Sequence, residues 1–269
     1  PCIVSVYYQN LINFSFFFTS MIKSIPALSW FFLFAFAFNG LLAISILIFK
    51  NKTLRVANSL LALNLLAISL SAFTVSMVES GLILQVPHYY RLPSPIVYAM
   101  FPAVYLYVKL ILTDRNHLEK KEYLHFLPAL VHLIEMTPFY LSSTEVKLQF
   151  IQMAMSQRIN LYAASEGWLP AYVHNIIRGF LAILYAVAMW KLIRKTVQRN
   201  HVILLSYRTV IKWLKAFTLI NASLGIALVV CLIVIAIPAD IRSFILHAVL
   251  SIGVLVPNFY LFFRPEILY

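Results

Sequence analysis

VANSLLALNLLAISLSAFTVSMV, residues 56–78, carries no charged side chain over its whole length. At a rise of 1.5 Å per residue, about 20 helical residues cross the hydrocarbon core of a bilayer. This stretch is therefore long enough and apolar enough to span a membrane as one helix. Its apolar residues do not alternate with polar ones, as they would in the strands of a membrane β-barrel.

The composition of the whole chain agrees with that stretch. Hydrophobic residues make up 62% of the 269 positions and charged residues 11%, and the mean hydropathy is +0.87. Soluble domains carry about a quarter charged residues, because they must present a large surface to water. The sequence therefore predicts an all-α integral membrane protein, since in lipid a helix pairs its backbone groups internally.

Apolar runs of membrane-spanning length recur along the chain and predict about seven transmembrane helices. The predicted spans are residues 26–49, 56–78, 94–112, 124–141, 168–192, 214–237 and 243–263. The fourth is short and carries Glu135. We expect one membrane domain at 26–263, preceded by a segment of uncertain status at 1–25 and followed by the start of a cytoplasmic linker at 264–269. Met21 is the expected natural start.

The distribution of Lys and Arg predicts the orientation, because cytoplasmic connections are enriched in these residues. Fifteen cations fall on one side: Lys50, Lys52, Arg55, Lys109, Arg115, Lys120, Lys121, Lys191, Arg194, Lys195, Arg199, Arg208, Lys212, Lys215 and Arg264. Five fall on the other: Lys23, Arg91, Lys147, Arg158 and Arg242. We therefore expect the N-terminus outside and the C-terminus in the cytoplasm. The net charge of +12 indicates mainly this topology, with attraction to anionic lipid; at the acid-free connection 191–215 a nucleic-acid patch stays open as the alternative.

The connection at 142–166 is long and only moderately apolar. Its Ser142-Ser143-Thr144-Glu145 fits a helix capping box, and Val146, Phe150, Ala154 and Leu161 can share one helical face. We expect a short amphipathic helix on the outer leaflet.

Ionisable residues at membrane depth are costly and are the first candidates for function. His132 and Glu135 are three apart in the fourth predicted span, and His174 and Arg178 are four apart in the fifth. Each pair shares a helix face, and the depths of the two pairs overlap. We expect Glu135 to pair with His174 or Arg178, with His247 at a similar level.

Two interpretations of these five residues stay open. They either line an outward-facing pocket for a ligand or for protons, or form interhelical links that hold the bundle together. No catalytic motif is present, and the spacing of Cys2, Cys231 and the histidines suggests no metal site. The sequence predicts no cofactor and no enzyme activity.

A block in the third and fourth spans carries a family resemblance. FPAVYLYVK at 101–109 is followed by LHFLPAL at 124–130, with supporting matches in ANSLLAL at 57–63 and RPEILY at 264–269. The block resembles the P-x-x-Y-L-Y-V-K … L-H-F-L-P signature of the membrane domain of bacterial AraC-type helix-turn-helix regulators, over about residues 41–269. The signature residues are Pro102, Tyr105, Tyr107, Lys109, His125 and Pro128.

The resemblance implies a sensor and anchor domain in the bacterial inner membrane, joined through a cytoplasmic linker to a DNA-binding domain that these residues lack. It implies an unknown signal or ligand, contact with DNA only through that domain, and by analogy a homodimer. The alternatives are the sensor domain of another signalling protein, such as a histidine kinase, and a small transporter built around Glu135 and Arg178. The residue order shows no internal symmetry of the kind that many transporters have.

Overall fold

The computed structural model describes residues 35–41, 44–45, 54–156, 167–199, 208–233 and 239–263. Every regular element within these ranges is helical. Most of the first predicted span at 26–49 lies outside the described residues, as do Met21 and the predicted linker at 264–269. Residues 35–41 and 44–45 of that span are helical.

The α-helices after this point are numbered in chain order. They are α1 (Arg55–Ser80), α2 (Ser94–Thr113), α3 (Leu127–Glu135), α4 (Thr137–Leu141), α5 (Thr144–Ser156), α6 (Ala171–Arg199), α7 (Arg208–Ile233) and α8 (Ala239–Phe263). Three 3-10 segments, Leu82–Gln85, Pro87–Tyr89 and Lys120–Phe126, connect them.

Four helical stretches among the described residues are long and apolar enough to cross a membrane. They are Arg55–Val78, Pro87–Thr113, Tyr172–Arg199 and Arg208–Ala227, with a shorter apolar stretch at Ala248–Tyr260. The four overlap the second, third, fifth and sixth predicted spans. The prediction of an all-α chain is thus confirmed for the described residues, with four helices of membrane-spanning length and composition.

The fourth predicted span, 124–141, is not one continuous helix. It begins in the 3-10 segment Lys120–Phe126 and continues as the nine-residue α3 and the five-residue α4. Pro128 and Pro138 each stand in the first turn of their helix. A proline has no N–H to continue a preceding helix, and its ring clashes with the carbonyl four residues earlier. The chain therefore restarts a helix at each proline.

Among the described residues, the five long helices form a closed ring. Going round it, α1 packs against α2, α2 against α6, α6 against α7, α7 against α8, and α8 against α1. The short α3 packs outside the ring on α2. Several apolar side chains of α3 are about half exposed, among them Leu130, Val131 and Ile134. Such an outward apolar face suits contact with lipid chains better than contact with water.

The ring has two distinct ends. At one, the Val56 N–H of α1 donates to Asn116 Oδ1 just beyond α2, and Trp213 of α7 packs against Tyr260 of α8. This is the basic end, because the long helices carry most of their Lys and Arg there. The opposite end, where α2 and α6 begin, is the polar end.

The helix α5 covers the polar end and corresponds to the predicted amphipathic helix. The Ser143 hydroxyl accepts a hydrogen bond from the Val146 N–H at 3.5 Å, close to the predicted cap. The packed face of α5 differs from the predicted face: Ile151 and Lys147 are buried, while Val146 is exposed. Its contacts are with the 3-10 segments beyond α1, so one face of the helix is covered by protein.

Candidate functional site

A cluster of buried polar side chains lies at the polar end, where α2, α3 and α6 meet. The helix α3 supplies His132 and Glu135, and α6 supplies His174. These three side chains are 3–6% exposed as residues, so each is almost fully enclosed by protein. We refer to His132, Glu135 and His174 as the His–Glu–His cluster.

The three side chains of the cluster converge on one point. Glu135 Oε2 lies 3.4 Å from His132 Nδ1 and 3.2 Å from His174 Nε2. One donor atom from each residue lies within 4.8 Å of the other two. Glu135 Oε2 and His132 Nδ1 form no hydrogen bond with any described group.

Each residue of the His–Glu–His cluster makes a further contact on the side that faces away from the other two. His132 Nε2 lies 2.6 Å from the Ser94 hydroxyl, and His174 Nδ1 lies 3.1 Å from the Tyr98 hydroxyl. The other oxygen of Glu135 accepts a hydrogen bond of 2.9 Å from the Leu169 N–H. These contacts fix the rotation of both rings and of the carboxylate.

Arg178 joins the cluster indirectly. Its guanidinium donates to Ser94 Oγ at 2.6 Å and lies over the Tyr98 ring at 5.0 Å from the centroid. The predicted proximity of the two polar pairs is therefore observed, with Glu135 beside His174. The side chain of His247, in α8, lies outside the described residues.

A cavity of about 180 Å³ lies between the helices of the ring, next to this cluster. All five long helices line it, and most of its wall is apolar, with residues such as Ile68, Leu224 and Leu250. The charged residues in its lining are Arg91 and Arg178. Ser94 lines the cavity and also contacts His132, so the cavity and the cluster share a wall.

The signature residues of the sequence resemblance lie mostly toward the basic end. Tyr107 is fully buried and its hydroxyl accepts a hydrogen bond of 2.9 Å from the Trp213 indole of α7. Tyr105 packs against the His125 ring, and His125 Nδ1 lies 2.9 Å from the Tyr185 hydroxyl of α6. These contacts tie α2 and the Lys120–Phe126 segment to the neighbouring helices.

Lys109 forms an ion pair with the buried Glu122 carboxylate at 2.7 Å, and Arg115 contacts the same oxygen at 2.7 Å. Burial alone would raise the pKa of Glu122, but hydrogen bonds from Lys109, the Glu119 N–H and Arg115 outweigh it and lower that pKa to about 2.

Sequence reasoning did not single out Ser94, Tyr98 or Glu122. Ser94 and Tyr98 are four apart, one helical turn, at the start of α2, which is a weak signal for a shared polar face. The sequence signal for Glu122 was clearer, because Glu122 completes a capping box with Glu119 at the start of the 3-10 segment. The two prolines of the signature lie in different helices: Pro102 is inside α2, and Pro128 is in the first turn of α3.

Comparisons with models of known protein families, with curated proteins and with solved structures gave no match for this chain.

Proposed function

We propose that the chain is the sensory membrane domain of an AraC-type transcription regulator in the bacterial inner membrane, with seven crossings, an outer N-terminus and a cytoplasmic C-terminus. In this arrangement the polar end faces outward, and the fourth crossing is made by the broken segment 124–141. Non-helical backbone at membrane depth must be covered by protein, and Met136, at the break, is fully buried.

The cavity lined by the five long helices is the observation on which the proposal rests. A ligand in a cavity lined by five helices contacts all of them, so a ligand that fits one arrangement of the helices better shifts the population of the protein toward that arrangement. An apolar cavity of about 150 Å³ can hold a benzene ring, so about 180 Å³ admits a small apolar group. Arg91 and Arg178 in its wall favour a ligand with an anionic group.

The contacts at the basic end support the proposed connection to a cytoplasmic DNA-binding domain. The Tyr107–Trp213 and His125–Tyr185 contacts join the signature block to α7 and α6. A change in helix packing around the cavity therefore reaches the side of the bundle that would connect to a cytoplasmic DNA-binding domain. Signalling then consists of a shift in the position or dimerisation of that domain.

A transcriptional reporter in bacteria that express the full-length protein tests the proposal. Ala227 lines the cavity, so Ala227→Phe fills it and should hold reporter output at one level whatever the growth condition. Val187 is about half exposed on the outer face of α6, so Val187→Phe is the matched control and should respond like the wild type.

Two further variants examine the polar end in the same reporter. Glu135→Gln and Arg178→Ala should each change signalling; unchanged output in both would assign these residues to packing. The regulator assignment fails if the full-length protein contains no helix-turn-helix segment, or if Ala227→Phe responds like Val187→Phe while folding normally.

A further inference from the structure

The His–Glu–His cluster has the donor set of a metal site. Two imidazole nitrogens and one carboxylate oxygen are the protein ligands found in a common class of Zn²⁺ site, in which a fourth position is left for water or another ligand. The sequence did not indicate a metal site, because the third donor, His174, stands on a different helix and 39 positions beyond Glu135. The packing of both α3 and α6 against α2 brings the three together.

Two of the three distances between the donor atoms agree with tetrahedral coordination. Zn–N bonds are about 2.0–2.1 Å and Zn–O bonds about 2.0–2.2 Å. Neighbouring ligand atoms around a tetrahedral ion are then about 3.3–3.5 Å apart. The two separations from Glu135 Oε2 to the ring nitrogens are 3.4 and 3.2 Å. These two separations match a tetrahedral ion, and all three donor atoms lie within 4.8 Å of one another.

The outer contacts are those that ligands of a metal require. Metal-binding histidines generally donate their second ring N–H to an oxygen, which fixes the tautomer and the ring orientation. His132 Nε2 can donate to Ser94 Oγ, and His174 Nδ1 can donate to the Tyr98 oxygen. The Tyr98 hydroxyl can in turn donate to the His174 carbonyl at 3.3 Å. Both remaining ring nitrogens then offer lone pairs to the shared point.

The His–Glu–His cluster is buried but lies close to the protein surface at the polar end. The segment that holds Glu135 from behind is at the protein surface, with Trp168 65% and Leu169 40% exposed. An ion thus needs to pass one layer of residues from the polar end. Burial of the Glu135 carboxylate is costly, and a divalent cation beside it offsets that cost directly.

From these observations we infer that His132, Glu135 and His174 bind a divalent transition-metal ion, with Zn²⁺ the best match to the donor set. The inference goes beyond the proposed sensory function and does not depend on it, since it concerns metal binding to the chain itself.

Calorimetric titration of the purified chain in detergent, after treatment with a chelator, tests the inference with Zn²⁺ alone as the probe. One Zn²⁺ per chain is expected. Glu135→Gln keeps the size of the side chain and an acceptor for the Leu169 N–H, and it should weaken binding more than about 100-fold. His132→Ala and His174→Ala should do the same, whereas Ser94→Ala, which removes an outer contact, should weaken it about 10–100-fold.

His117→Ala is the matched control, because His117 is exposed and lies outside the cluster; its binding should equal that of the wild type. Co²⁺ should give the intense visible absorption of a tetrahedral site in the wild type and lose it in Glu135→Gln. Size-exclusion profiles and melting temperatures establish folding. The inference is overturned if the wild type binds no Zn²⁺, or if folded Glu135→Gln binds it as tightly as the wild type. Should both alanine variants misfold, Glu135→Gln alone decides.

Discussion

Gly167 places the backbone directly over Glu135. A Cβ at this position would overlap the Glu135 carboxylate and lie 2.6 Å from its backbone carbonyl oxygen. The absence of a side chain at 167 therefore lets the 167–169 segment approach closely enough for the Leu169 N–H to reach the carboxylate.

Gly167→Ala should displace Glu135 and destabilise the protein by about 1–3 kcal/mol, the usual cost of forcing extra atoms into a packed site. The measurement is the midpoint of thermal unfolding in detergent. Gly253→Ala is the control, because its nearest neighbour would be the end of the flexible Leu224 side chain at 3.2 Å. Equal effects of the two substitutions would contradict the close approach at Gly167.

Glu122 makes a second residue-scale prediction, at the basic end. Its folded-state pKa of about 2 lies below the usual 4.5, so its ion pairs stabilise the folded state fully above about pH 4.5. That stabilisation is lost as the pH falls from 4.5 toward 2. Glu122→Gln leaves Lys109 and Arg115 without their shared carboxylate and should cost about 3 kcal/mol near neutral pH.

Unfolding midpoints of wild type and Glu122→Gln, measured between pH 7 and pH 2, should differ most at neutral pH and converge in acid. Glu119→Gln serves as the comparison, since the Glu119 side chain is 62% exposed and its pair with Arg115 contributes less than about 1 kcal/mol. A difference for Glu122→Gln that does not change with pH would refute the electrostatic explanation.

At the scale of elements, α6 and α7 approach closely through two small residues. A Cβ on Gly225 of α7 would overlap the Cβ of Ala182 in α6. Helices in membranes pack closely where small residues face each other, because the backbones can then approach.

Gly225→Ala should destabilise the protein by about 1–3 kcal/mol through overpacking. Adding Ala182→Gly should restore most of the loss, because the pair then contains the same single Cβ on the other helix. A double-mutant cycle of melting temperatures measures this coupling. Additive losses would show that the two positions do not share a contact.

The element scale also shows what the sequence could and could not predict. The sequence predicted the second, third, fifth and sixth spans to within a few residues, apart from extensions at the ends of α6 and α7. These spans were predictable because a long apolar run in lipid can pair its backbone groups only as a helix. The prediction of the fourth span as a single helix was wrong, because the apolar composition of residues 124–141 was given more weight than the helix-breaking Pro128 and Pro138. The cluster was partly predictable: helical spacing paired His132 with Glu135, but only tertiary packing could add Ser94, Tyr98 and Leu169.

At the scale of the whole molecule, the proposed topology predicts where each end of the bundle lies. Alkaline phosphatase, which is active only outside the inner membrane, should be active when fused within α5. A green fluorescent protein, which folds in the cytoplasm, should fluoresce when fused after residue 263. The reverse pattern would place the polar end in the cytoplasm and contradict the orientation taken from the Lys and Arg distribution.

One helix takes part in both ends of the molecule. Ser94 and Tyr98 of α2 contact the His–Glu–His cluster, and Tyr107 and Lys109 of the same helix bind Trp213 and Glu122. Pro102 lies between the two sets and leaves the Tyr98 carbonyl without its usual helical donor. If a ligand at the polar end shifts α2 and so changes the affinity of the basic end for a partner, thermodynamic reciprocity requires that this partner change the affinity for the ligand by the same factor.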